Sequence, residues 1–259
     1  MDLGIRGRTA IVCASSQGLG KACARALAEA GVSLVINGRN RAPLERTAEE
    51  IRQATGAEVT PVVADVSTPE GQHALLTACP APDILINNNS GPPFRDFREL
   101  DRQAMLTGVT MNMITPIELI QKVIEPMAAR GFGRIVNITS ISVKMPMSGL
   151  DLSSAARAGL TAFLAGVARN IADKKITINN LLPGNFDTQR LRNGFAVAAR
   201  QSGQPESVMA AQAMAEIPAK RFGAPQEFGQ TCAFLCSVHA AYITGQNILM
   251  DGGMYPAAF

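Results

Sequence analysis

The chain has 259 residues, 47% hydrophobic and 17% charged, a balance that supports a large buried core and excludes a disordered chain. Lys and Arg total 24 against 21 Asp and Glu, and the resulting net charge of +3 is spread along the chain, so neither a nucleic-acid partner nor a membrane-surface partner is implied. The five cysteines, Cys13, Cys23, Cys79, Cys232 and Cys236, are odd in number and lack CxxC spacing; they read as structural thiols of a reducing cytoplasm, with no metal site.

Short apolar runs alternate with helical periodicity almost end to end. Residues 9–13 (TAIVC) predict a first strand, followed by a small-residue turn and a helix over 18–30. A strand over 32–37, a helix over 41–55 and a third strand over 58–64 come next, then a fourth strand over 83–87. Residues 99–130 predict a long helical stretch broken near Gly108. The strand at 133–139 precedes a helix over 152–172, a sixth strand over 176–181, a helix over 226–238 and a closing strand over 246–250. Short apolar strands joined by helices pair in parallel and bury both sheet faces. The expectation is therefore an α/β chain: one Rossmann-type doubly wound domain over residues 1–259, with a seven-stranded parallel sheet. Residues 187–216, rich in Ala, Arg and Gln after a Pro-Gly turn, are expected to form a substrate lid, the alternative being a surface helix pair.

The first strand runs into Cys13-Ala14-Ser15-Ser16-Gln17-Gly18-Leu19-Gly20. Small residues there let the backbone pass close to a diphosphate, and the N–H groups of the following helix favour negative charge. Ala14 suits this turn only if its position needs no positive φ; without a cofactor, the same turn is a helix cap. The second strand ends in Asn37-Gly38-Arg39-Asn40 with no acid for a ribose 2′-hydroxyl. Arg39 suits a 2′-phosphate instead, which favours NADP(H) over NAD(H).

The order and spacing of the motifs resemble the short-chain dehydrogenase/reductase family over essentially the whole chain. The turn resembles the family's TGxxxGxG motif, with Cys13 and Ala14 replacing Thr-Gly. Asp65-Val66 resembles the adenine-contacting pair, and Asp83 to Gly91, including Asn88, resembles the DxLVNNAG segment. Asn112 matches the helix asparagine that holds a structural water, Ser140 the active-site serine, and Pro183-Gly184 with Thr188 the PGxxxT turn that faces the nicotinamide amide. Members carry Tyr-x-x-x-Lys on the helix that follows; here those positions are Ser153 and Arg157, thirteen and seventeen residues after Ser140, and the only tyrosines are Tyr242 and Tyr255.

Asn89-Ser90-Gly91-Pro92-Pro93 and Val143-Lys144-Met145-Pro146 are similar to a divergent β-ketoacyl-reductase-like branch with Ser and Arg at these two positions. A serine hydroxyl is a weaker acid than a phenol, and Arg157 can bond ribose hydroxyls but cannot give up a proton at working pH. Lys144, four residues after Ser140, is a candidate substitute donor, against the plainer reading of a solvated loop lysine. Asp151 reads as a cap for the helix beginning near Leu152, and His73 and His239 lie on predicted helices away from the strand ends.

The resemblance implies hydride transfer between NADP(H) and a small carbonyl or alcohol substrate, 3-oxoacyl-type among the options, in a homotetramer packed through residues 152–172 and 254–259. A catalytically silent binding protein and non-redox chemistry on the same scaffold remain open. Residues 1–7 do not resemble a signal peptide, and no run of ~18 apolar residues occurs, so a cytoplasmic protein is expected.

Overall fold

The computed structural model describes residues 1–92 and 94–258; Pro93 of the proline pair and Phe259 of the tail lie outside the described residues. The strands are β1 (Thr9–Val12), β2 (Ser33–Gly38), β3 (Val59–Val63), β4 (Ile84–Asn87), β5 (Gly133–Ile138), β6 (Ile176–Pro183) and β7 (Asn247–Met250). All pair in parallel, in the order β3-β2-β1-β4-β5-β6-β7. The sheet is thus doubly wound about β1, with β1 and β4 meeting where the strand order reverses.

Successive strand residues point to opposite faces, and each face carries its own core. Ala10, Val12, Leu34, Ile36, Ile84 and Ile86 pack under α1 (Gly18–Glu29) and α9 (Pro225–Leu235). Ile11, Val35, Leu85, Ile135 and Ile178 pack under α5 (Thr115–Arg130) and α6 (Asp151–Asn170). This is why the strands read as unbroken apolar runs. Helices α2 (Arg41–Thr55) and α3 (Pro69–Ala78) complete the first half. Helix α3 is an element the sequence expectation lacks, although its start has ordinary signals: the Thr68 hydroxyl accepts from the Gly71 amide at 3.0 Å, and proline takes the first helical position.

Against the sequence expectation, β6 runs on to Pro183, α6 ends at Asn170 and α9 at Leu235, and two further differences bear on the site. Gly108 does not break its helix but lies inside α4 (Arg102–Val109), where a Cβ would come within 2.6 Å of Leu152. The irregularity falls just beyond, at a π-helical turn over Thr110–Ile114 that joins α4 to α5 and carries Asn112. Such widened turns concentrate at functional sites. Asp151 is the first residue of α6 rather than its cap; its carboxylate accepts from the Gly149 amide at 3.2 Å. Residues 187–216 fold as α7 (Gln189–Ser202) and α8 (Glu206–Glu216), neither of which buries a residue. No described helix is long and apolar enough to cross a membrane.

Side-chain amides stitch the second half of the sheet together. Asn87 Nδ2 donates to Asn137 Oδ1 at 2.9 Å, Asn137 Nδ2 to Asn180 Oδ1 at 3.0 Å, and Asn180 Nδ2 to Asn247 Oδ1 at 2.8 Å. Register makes this possible: Asn87 pairs with Asn137, Asn137 with Asn180, and Asn180 with Asn247. Leucine at position 137 would fill the same space but strand the buried donor of Asn87 and acceptor of Asn180. At ~1–3 kcal/mol per orphaned group, Asn137→Leu is expected to lower stability by roughly 2–6 kcal/mol in urea unfolding, with the variant still α/β by circular dichroism.

Candidate active site

The turn between β1 and α1 is held from below. Ser15 is fully buried; its hydroxyl donates to the Val12 carbonyl at 2.7 Å, and its amide donates to Asn37 O at 2.8 Å. Ser16 offers its carbonyl to the Thr47 hydroxyl at 2.8 Å. Ala14 adopts φ 44°, so the expectation that this position avoids positive φ fails. Two neighbours fix it there: Asn37 Oδ1 accepts from the Ala14 amide at 3.3 Å, and Asn88 Nδ2 donates to its carbonyl at 3.0 Å. Gly18 also has positive φ, and a Cβ on Gly20 would meet the Ala14 carbonyl at 2.4 Å. Gln17 precedes α1 with no side-chain cap, and no acid occupies the first turn. The opening N–H groups of α1 therefore face the strand ends without an intramolecular anion, while Leu19 packs into the core beneath.

At the end of β2, the Arg39 guanidinium is exposed and donates to Ser90 Oγ at 3.4 Å, which joins the β2 and β4 strand ends. Asp65 accepts from the Ser67 amide at 2.9 Å, and Val66 is buried. Pro183 ends β6, the Gly184 amide donates to Met250 O at 2.9 Å, and Thr188 caps α7 by accepting from the Leu191 amide at 3.4 Å.

Ser140 follows β5, half-buried, its hydroxyl accepting from the Ser142 amide at 3.1 Å. Ser153 and Arg157 lie one turn apart on α6, both buried. Arg157 Nε donates to Ser153 Oγ at 3.3 Å, and its Nη1 donates to the Ile138 carbonyl at 2.7 Å, two residues before Ser140. Burial, and then the nearby charge of Arg190, pull the Arg157 guanidinium down to about 10, so it stays charged at neutral pH.

Behind this pair is a small cavity lined by Asn87, Asn112, Thr115, Asn137 and Arg157. Three buried atoms in its wall, Asn87 Oδ1, Asn112 Oδ1 and Thr115 Oγ1, have no hydrogen-bond partner. Asn112 Nδ2 is held by Gly108 O at 3.3 Å, so its carbonyl is fixed in place. One water donating to the two amide oxygens and accepting from the threonine would satisfy all three.

Lys144, on the turn that follows Ser140, holds its ammonium 5.2 Å from the centroid of the Tyr255 ring. Cys13 is buried, and its thiol is pushed up to about 12 mainly by loss of solvation, which removes it as a nucleophile. Among the described residues, no group of three or more His, Cys, Asp or Glu side chains is arranged to hold a metal ion. Sequence reading missed Thr115, Asn137 and Arg190. The first two sit on ordinary apolar-pattern elements, and only their shared cavity distinguishes them.

Comparison with known proteins gives one family. A family model described as enoyl-(acyl carrier protein) reductase matches residues 13–255. The chain is 32% identical over 251 residues to the NADPH-dependent reductase BacG of Bacillus subtilis (strain 168), covering 95% of this chain and 97% of that one. It is 30% identical over 257 residues to the 3-oxoacyl-[acyl-carrier-protein] reductase FabG of Escherichia coli (strain K12), covering 98% and 99%. The crystal structure of L-sorbose reductase from Gluconobacter frateurii, complexed with NADPH and L-sorbose, superposes with a TM-score of 0.94 at 27% identity, over 99% of this chain and 100% of that one.

The backbone at position 14 yields a direct test. Left-handed backbone strains alanine and not glycine. Ala14→Gly is therefore expected to stabilise the protein by about 1 kcal/mol, a rise of roughly 2–4 °C in Tm. A comparable fall would show that the turn is unstrained as it stands.

Proposed function

The chain belongs to the short-chain dehydrogenase/reductase family, and on that footing we propose that it is an NADPH-dependent reductase of small ketones whose proton is delivered through Ser153 and Arg157. The carrying observation is the bond from Arg157 Nε to Ser153 Oγ, at 3.3 Å, beside the end of β5, two residues before Ser140. These two side chains stand where the family has Tyr and Lys, as in the divergent β-ketoacyl-reductase-like branch.

The residues present fit the dinucleotide. The uncapped N-terminus of α1, with Ala14, Ser15, Ser16, Gln17, Gly18, Leu19 and Gly20 around it, suits the diphosphate. Arg39 suits the 2′-phosphate and would exchange its long bond to Ser90 for it. Asp65, Val66 and Asn88 flank the adenine side, and Pro183, Gly184 and Thr188 the nicotinamide side. When bound, the dihydronicotinamide supplies a hydride to the substrate carbonyl carbon.

The protein's own part is to hold and protonate the oxygen. Ser140, just after β5, and Ser153, on α6, are the two hydroxyls this reading assigns to the substrate oxygen. Because Ser153 accepts from Arg157, its own proton is left to point at the substrate oxygen. The fixed charge of Arg157 then favours negative charge as it develops there, in a site where solvent screening is weak. Ser153 regains its proton from bulk water after the alcohol has left. Lys144, occupied with Tyr255, takes no step in this reading; loss of turnover in Lys144→Met would reinstate it as donor.

Helices α7 and α8 are read as the substrate lid because the first turn of α7 brings Arg190 over Gly91 and Pro92. Exposed Leu106, Ile114 and Phe163 on the α4–α6 side support a homotetramer, which light scattering would count. The five buried free thiols suit a reducing cytoplasm. A second reading, nucleotide binding without turnover, rests on the serine at position 153.

The experiment is a fluorescence titration with NADPH and NADH, then turnover on a ketone panel that includes a 3-oxoacyl thioester. NADPH is expected to bind at least about tenfold tighter than NADH, with Arg39→Asp removing the difference. Ser153→Ala is expected to lower kcat by ~10²-fold or more with NADPH binding intact. Tight NADPH binding with no ketone turned over would leave the binding-only reading in its place, and no binding of either nucleotide would overturn both.

A further inference from the structure

Two arginines approach the strand ends without an acid to meet them. Arg157 is 8% exposed, and its recorded partners are a carbonyl and a hydroxyl. Arg190, in the first turn of α7, reaches across to the loop after β4 and donates to Gly91 O at 3.5 Å and Pro92 O at 3.4 Å. Among the described residues, neither forms an ion pair with a carboxylate. Acids nearby in the sequence are engaged elsewhere. Asp187 binds Arg192 through both oxygens, and Asp151 accepts from Gly149.

The contrast within α7 is informative: Arg192 is neutralised by a bidentate partner, whereas Arg190 makes only long bonds to two neutral oxygens. Room has been left for it there. A Cβ on Gly91 would lie 2.6 Å from Arg190 Nη2, so glycine at that position admits the guanidinium. A fork engaged only by contacts of 3.4–3.5 Å retains most of its capacity for a carboxylate, whose two oxygens match its geometry. Arg157 adds a second positive charge, costly to bury unpaired, and its guanidinium is lowered in part by repulsion from Arg190. An anion between them relieves both.

We propose that Arg190, backed by the buried charge of Arg157, recognises a carboxylate on the substrate, so that the ketone reduced here is an oxo acid. This rests on the reductase reading above and narrows its substrate class. The cofactor's diphosphate is the other source of anionic oxygen, but the geometry separates the two. The diphosphate turn meets Thr188 at Gly18 and Asn88 at Gly20, whereas Arg190 contacts Gly91 and Pro92 and its charge acts on Arg157, which holds Ser153.

The test uses the NADPH complex of the whole protein with 2-oxobutanoate, 3-oxobutanoate and 4-oxopentanoate, each against its methyl ester. For at least one chain length, the acid is expected to exceed its ester in kcat/KM by roughly 10–100-fold, the worth of a charge-assisted pair. Arg190→Gln is expected to bring that ratio close to one through KM, and Arg190→Lys to restore part of it. Esters equal to or better than their acids at every length would overturn the proposal. So would Arg190→Gln weakening NADPH as much as it weakens the acid, which would assign the arginine to the diphosphate. If nothing turns over, the reductase reading fails separately, and the same acid-to-ester comparison is read from binding to the NADPH complex: tighter acid binding, lost in Arg190→Gln, sustains the carboxylate site, and equal binding ends it.

Discussion

The amides of Asn87, Asn137 and Asn180 each donate in one direction across four strands, and Asn247 accepts the last bond. A chain of this kind has two ends, each needing something outside itself. At Asn247 the end is exposed and water serves. At the other end, the Asn87 carbonyl oxygen is buried and must find a donor where no side chain provides one. The π-helical turn brings Asn112 and Thr115 to the same place, each with an unsatisfied atom of its own. The polar cavity behind the strand ends is thus a consequence of how the sheet is stitched. The stitching of the sheet and the polar wall of the cavity are joined at Asn87.

Arg157 forms the front wall of that cavity. It is clamped to the end of β5 and reaches Ser153 on its own helix, so its position is set by the sheet and not by a flexible loop. An unpaired charge buried among apolar strands is costly, and its retention makes chemical sense if the site handles negative charge. A developing oxyanion requires that, and so does a carboxylate. The uncapped N-terminus of α1 and the exposed Arg39 extend the same positive character along the strand ends towards the cofactor side.

Much of this was legible in the chain. Apolar strand runs are set by burial of both sheet faces, so β1 to β7 could be located from pattern alone, and the strand–turn–helix context made the glycines at 18 and 20 meaningful. Interactions that depend on register or long-range folding were not legible. Asn180 and Asn247 look like any strand asparagines until parallel pairing aligns them with Asn137. Arg190 looks like a surface residue until α7 folds back on a loop 99 residues earlier. Ala14 argued against a positive φ that the structure adopts, because the tertiary bonds from Asn37 and Asn88 outweigh a local preference of about 1 kcal/mol.

Proton delivery by a serine supported by an arginine is the central claim, and the pH dependence of kcat/KM for ketone reduction tests it most directly. A serine hydroxyl does not titrate in the neutral range, and Arg157, held at about 10, keeps its charge through it. The profile is therefore expected to be flat over roughly pH 6 to 9. A limb falling towards alkaline pH within that range would show that a titrating acid supplies the proton, and would contradict the role given to Ser153.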